Sequence, residues 1–139
     1  MPIITVHIAP TRDMSDLEQK VAHRVVDLVS RILRKPAEVT AVIVERVNPA
    51  VWFVAGRSLL DQDKASYWLS VKVVDGTNTK DEKAQFLSAL FEAMGDLLGD
   101  LHPESYGYVE EVFADSYGFG GVTQERRYVE KVLAGAAGR

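Results

Sequence analysis

Residues 2–8 read PIITVHI, and residues 67–73 read YWLSVKV. Sliding the chain 65 places along itself sets Ile4, Val6 and Ile8 on Leu69, Val71 and Val73. The same shift sets Val25 and Leu33 on Leu90 and Leu98, and Val44, Glu45 and Val47 on Val109, Glu110 and Val112. Trp52 and Gly56 fall on Tyr117 and Gly121. Apolar matches follow from any shared pattern, but the aromatic-then-glycine pair and the glutamate inside a valine-rich strand point to a duplication.

Each half carries the same local signals. Residues 2–8 are mostly β-branched and apolar, which suits a strand buried on both faces. Ser15 with Glu18 three places on is a capping-box signature. Leu17, Val21, Val25, Leu28, Val29, Ile32 and Leu33 then form one helical stripe, and Pro36 forbids its continuation. Residues 39–47 read as a second strand. In the second half a strand at 67–74 leads through Asp75-Gly76 to a capping box at Thr79 and Glu82. Leu87, Leu90, Phe91, Met94, Leu97 and Leu98 make the stripe of the next helix, and residues 106–113 form the last long strand. A helix-length crossover joins parallel strands. Two such units related by a pseudo-twofold predict an α+β fold: a four-stranded mixed sheet from tandem β-α-β repeats, with two helices on one face. The whole chain 1–139 reads as one domain, with repeats at about 2–60 and 67–125 and a short C-terminal tail. The other sheet face is too apolar to stay wet, and oligomerisation is the natural cover.

Composition narrows the function. The chain has 139 residues, 47% of them apolar, and a net charge of −4. An acidic balance argues against nucleic acid or a membrane surface as partner. No cysteine is present, which excludes disulfides and thiolate metal sites. His7, His23 and His102 lack the spacing of metal ligands. No leader or membrane-spanning run is evident, so the expectation is a soluble cytoplasmic protein without metal or cofactor.

Pro2 is the residue with chemistry to offer. A small second residue permits removal of Met1, which leaves a secondary amine at the head of a buried strand. Desolvation and nearby cations should bring its pKa below the ordinary α-amino value of about 7.7–8.0, as proton abstraction beside a carbonyl requires. Arg12, in the loop after the first strand, offers a guanidinium that can hold a carboxylate bidentately. Trp52, in the segment Val51-Trp52-Phe53-Val54 before Gly56, can wall an apolar pocket.

Taken together, the opening Met-Pro-Ile-Ile, the alternating strand, the arginine ten residues after the proline and the aromatic-to-glycine segment resemble 4-oxalocrotonate tautomerase (4-OT). With its second unit the chain is similar to a fused, two-unit member of the tautomerase superfamily. The resemblance implies a homotrimer and a small 2-oxo or 2-hydroxy-unsaturated carboxylic acid as substrate, with a place in aromatic catabolism. It also implies Pro2 as general base and acid, Arg12 as carboxylate binder and Trp52 as the active-site aromatic. Macrophage migration inhibitory factor shows that the same fold can serve signalling.

The chain departs from that pattern in two places. A second-strand arginine of the muconate tautomerases is replaced by Ala41; Arg57, Lys72, Arg126 or Arg127 are the candidates to stand in for it. The second unit has Tyr67 where a proline would be and Thr77 in place of Arg12, so one unit per chain is expected to be catalytic. Related two-unit dehalogenases and decarboxylases carry an arginine pair near the loop after the third strand. Here Val74-Asp75-Gly76-Thr77 has none, which argues against those reactions. Tyr108 falls near a tyrosine of the dehalogenases. Gly118-Phe119-Gly120-Gly121 opens no convincing helix and is expected to form a hairpin at a subunit contact. Three readings follow: an enol–keto isomerase, a proline-dependent hydratase, dehalogenase or decarboxylase, and a non-catalytic binding protein on the same fold.

Overall fold

The apolar spacing of the first helix holds, but its start is not the one the sequence suggests. The computed structural model describes residues 2–137. Strand β1 (Ile3–Ala9) leads to helix α1 (Leu17–Ile32). Asp16 precedes the helix in the left-handed region, with φ of 58°, and no side chain caps it. The expected Ser15–Glu18 box is therefore absent. Glu18 instead accepts a hydrogen bond from Arg46 Nη2 at 2.8 Å, a tertiary partner that outcompetes the local one.

After a 3-10 turn at 37–39 comes β2 (Ala41–Arg46). A second 3-10 turn, Pro49–Val51, opens the hairpin of β3 (Phe53–Val54) and β4 (Arg57–Ser58), which runs into the single-turn α2 (Leu59–Gln62). The second half follows as β5 (Ser66–Val74), α3 (Lys80–Leu98) and β6 (Tyr106–Val112). A hairpin of β7 (Gly118–Phe119) and β8 (Val122–Thr123) precedes α4 (Gln124–Ala137), which makes the C-terminal tail helical. Thr79 and Glu82 form the expected capping box at the head of α3.

The sheet order is β2-β1-β5-β6. The inner pair β1 and β5 is antiparallel, and each outer strand is parallel to its inner neighbour. Two β-α-β units thus stand head to tail in one mixed sheet, as the pattern predicts. Among the described residues no helix is long and apolar enough to cross a membrane.

The core lies between sheet and helices. Ile4, Val6, Ile8, Leu69, Val71 and Val73 meet Val21, Val25 and Val29 of α1 and Phe86, Leu90 and Met94 of α3. Two expectations need correction here. In α3 the fully buried aromatic is Phe86, whereas Leu87 and Phe91 are exposed, because the helix is rotated so that 86, 90, 93, 94, 97 and 98 face inward. In β1 burial alternates rather than extending to both faces. At Gly107 an added Cβ would come within 2.8 Å of Leu87 Cδ2, so α3 packs closely on β6 here and the leucine side chain would have to shift for any larger residue.

Among the described residues, the opposite face of the sheet carries no helix layer. Strand register sets three rows across it: Ala41, Ile3, Lys72, Glu110; Ile43, Thr5, Ser70, Tyr108; and Glu45, His7, Trp68, Tyr106. His7–Glu45 at 3.7 Å and Lys72–Glu110 at 2.8 Å occupy equivalent places in the two units. Trp68 lies 5.5 Å from His7 and 5.8 Å from Tyr108, ring centre to ring centre.

Candidate active site

β1 holds the expected site residues apart. Pro2 stands at its head, and Arg12 follows its end. A seven-residue strand spans roughly 23 Å at about 3.3 Å per residue, so one chain does not bring Pro2 and Arg12 together. Each end of the sheet has its own surroundings.

At the first end Pro2 is buried, and its carbonyl accepts from the amide of Ala41 at 3.2 Å. Lys72 sits opposite Ile3 in the register with β5. Its ammonium contacts Glu110 Oε2 at 2.8 Å, and the same carboxylate oxygen accepts from Ser70 Oγ at 2.8 Å. Hydrogen bonds from Lys72 first and Ser70 second hold Glu110 below the usual glutamate range. Lys72 is therefore an engaged cation on the open face.

The turn after β5, residues 75–79, also belongs to this end. Thr77 Oγ1 donates to the Val74 carbonyl at 2.6 Å and accepts from Lys35 Nζ at 2.8 Å. Burial pulls the Lys35 ammonium below its ordinary pKa, against the pull of Glu82. Asn78 Nδ2 donates to the Leu33 carbonyl at 2.9 Å and ties the turn to the end of α1.

A cavity of about 480 Å³ opens beside this turn, with Val74, Asp75, Thr77, Gln124, Arg127 and Lys131 in its walls. Arg127 is fixed there: Nη2 donates to the Phe119 carbonyl at 2.9 Å, and Cζ lies 3.8 Å from the centre of the Phe119 ring. Arg126, one residue earlier, is exposed and paired with Glu130 at 2.9 Å. Gly118-Phe119-Gly120-Gly121 is a hairpin, as expected, but against expectation it leads directly into a helix, α4.

Three buried side-chain atoms among the described residues lack a hydrogen-bond partner: Asn78 Oδ1, Gln124 Nε2 and Arg127 Nε. All three belong to this end of the molecule. An unpaired buried polar atom costs about 1–3 kcal/mol, and a cluster of them marks a place built for something else. Lys35, Asn78 and Gln124 are absent from the sequence-based candidates. The only sequence signal for Gln124 is its place at the head of the stripe Tyr128, Val132, Ala136.

At the second end, the amides of Thr11 and Arg12 both donate to the Leu98 carbonyl, at 2.9 and 3.3 Å. Arg12 Nη1 donates to the Asp96 carbonyl at 3.1 Å. Gly99 closes this corner with φ of 115°, where a Cβ would fall 2.1 Å from Thr11 Oγ1. Tyr67, standing where the second unit's proline would be, is buried, which pushes its phenol up to about 12. Trp52 lines a cleft of about 540 Å³ together with Phe53, His102 and Tyr106. Arg57 lies on the same hairpin and is exposed. Tyr108 lies mid-sheet on the open face, 6.3 Å from Tyr106.

The fold is the one that solved fused 4-OT and macrophage migration inhibitory factor-like structures share. The Q0 fused 4-OT symmetric trimer superposes with a TM-score of 0.75 at 19% identity, covering 88% of this chain and 96% of its own. A macrophage migration inhibitory factor-like protein from Entamoeba histolytica gives 0.71 at 16% identity, covering 88% of this chain and 97% of its own. The FG41 malonate semialdehyde decarboxylase, inhibited by 3-bromopropiolate, gives 0.69 at 16% identity over 92% of this chain and 96% of its own. No family model matches the sequence, and no curated protein matches it either. Likeness at this level establishes the shared fold.

Proposed function

We propose that this chain is an isomerase that moves a proton between the enol and keto forms of a small 2-oxo carboxylic acid, with the Pro2 amine as the base. The observation that carries the reading is the position of Pro2. It is buried at the head of a central strand, at the end of the sheet where the cavity and the unpaired polar atoms lie. Met1, whose removal the chemistry requires, lies outside the described residues.

A secondary amine held here is partly desolvated, and Lys35 adds positive charge at the same end; both favour the neutral, basic form. The amine lone pair takes the enol hydroxyl proton and leaves the O–H pair on oxygen as an enolate. An oxygen pair then forms the carbonyl π bond as the C=C pair takes a proton at carbon from the ammonium, and the neutral amine returns. As written, the reaction needs no metal or cofactor.

Arg12 and Trp52 enter this scheme through assembly. They sit at the far end of β1 from Pro2, so in a homotrimer they serve a neighbouring copy's proline. The half-bare sheet face, with Ile43 51% and Tyr108 42% exposed, supports such an assembly.

The test is turnover of phenylenolpyruvate and of 2-hydroxymuconate, comparing wild type with Pro2→Ala after intact mass confirms loss of Met1. Turnover abolished by the substitution is the expected result. Undiminished turnover in Pro2→Ala, or none in correctly processed wild type, sinks the reading and moves weight to another proline-dependent reaction or to a binding role.

A further inference from the structure

The cavity beside the turn after β5 combines two features that point to one kind of ligand. Its apolar wall comes from Val74, Ala114 and Tyr128. Two residues of its polar wall, Gln124 and Arg127, each carry a buried donor with nothing to donate to. Gln124 is only 9% exposed, and its Nε2 is unpaired. Arg127 Nε is buried and unpaired as well, on a guanidinium already fixed by the Phe119 carbonyl and ring. A clamped guanidinium with an unused N–H loses little freedom when it takes up an acceptor, and a carboxylate matches its planar fork.

We propose that this cavity seats a monocarboxylic acid with an apolar body, its carboxylate received by Arg127 and Gln124. The cavity's other charged walls are Asp75, Glu125 and Lys131. With two carboxylates against one ammonium, they oppose a second acidic group on the ligand, so a diacid is disfavoured. The C-terminal helix thereby supplies the cation that the loop Val74-Asp75-Gly76-Thr77 lacks. The inference deepens the proposed function and rests on it for the position of the reacting carbon: Ile3 pairs with Lys72, two residues before Val74.

The experiment measures binding apart from catalysis. 3-Phenylpropionate, which has no enol to turn over, is titrated calorimetrically into wild type, Pro2→Ala, Arg127→Ala and Ala114→Phe, with adipate as the diacid comparison. Wild type and Pro2→Ala are expected to bind the aryl acid alike. Arg127→Ala should weaken it about tenfold to a hundredfold, the range for a hydrogen bond to a charged group. Ala114→Phe fills the cavity, leaves Arg127 in place and should weaken binding as much; adipate should bind at least about tenfold more weakly than the aryl acid. No binding to wild type, or unchanged affinity in a folded Arg127→Ala, overturns the proposal. If Arg127→Ala does not fold, unchanged affinity in Ala114→Phe overturns it. Persistent turnover in Pro2→Ala defeats the isomerase reading instead and leaves these affinities to decide the cavity.

Discussion

Phe86 and Phe91 are five residues apart on α3, and replacing each by alanine tests how the helix is seated. Phe86 is 0% exposed in the core, while Phe91 is 41% exposed. Phe86→Ala removes a buried ring and leaves a void between α3 and the sheet, which costs about 3–5 kcal/mol. Phe91 keeps only about three fifths of its surface from water and leaves no enclosed void, so its loss costs about 1–2 kcal/mol. With an unfolding entropy near 2.1 cal/mol/K per residue over 139 residues, each kcal/mol moves Tm by about 3–4 °C. Phe86→Ala should therefore lower Tm by about 10–17 °C and Phe91→Ala by about 3–7 °C. The assay is thermal unfolding by circular dichroism at one fixed protein concentration, because assembly adds a concentration-dependent contribution. Equal shifts, or a larger one for Phe91→Ala, would refute the seating of α3 and restore the helical stripe expected from the sequence.

Two further outcomes follow from the same structure. Gly99→Ala forces a side chain into a backbone region open only to glycine and against Thr11 Oγ1; it should cost about 1–3 kcal/mol for the backbone alone. Adding Thr11→Gly should recover the steric part and not the backbone part, read as a double-mutant cycle in urea. Glu82 is held below its ordinary value of 4.5, first by the Thr79 amide and then by Asn78 and Arg34. Because the folded pKa is the lower one, this contribution is complete above about pH 4.5 and is lost as pH falls through the folded value. The stability gap between wild type and Glu82→Gln should shrink from pH 6 to pH 3, and a gap independent of pH would remove Glu82 from the cap.

The architecture was legible because it rests on periodicity. Ile4, Val6 and Ile8, the α1 stripe and the Thr79–Glu82 box are local signals, and each appears where it was expected. The failures came where a distant partner decided the outcome. Glu18 was lost to Arg46 across the fold, and α3 turned so that Phe86 rather than Phe91 met the sheet. For the candidate site, Pro2 could be singled out from its chemistry. That Arg12 lies a strand's length away was already implicit in reading residues 2–8 as a strand, but no spacing rule places Arg127 beside the turn after β5. Gln124 and Asn78 became visible as candidates only when their hydrogen bonds could be counted in three dimensions.

The antiparallel pairing of β1 with β5 cross-wires the two halves. The loop that follows each inner strand lies against the start of the other one, so part of the surroundings of Pro2 is written in the second half and part of those of Tyr67 in the first. A fragment ending near residue 60 would keep the proline and lose the turn, the cavity and Arg127 that border its end of the sheet. The halves are thus not a working module and a spare. Each is the other's scaffold, and a chimera that swaps one half exchanges the neighbourhood of the proline while leaving the proline itself untouched.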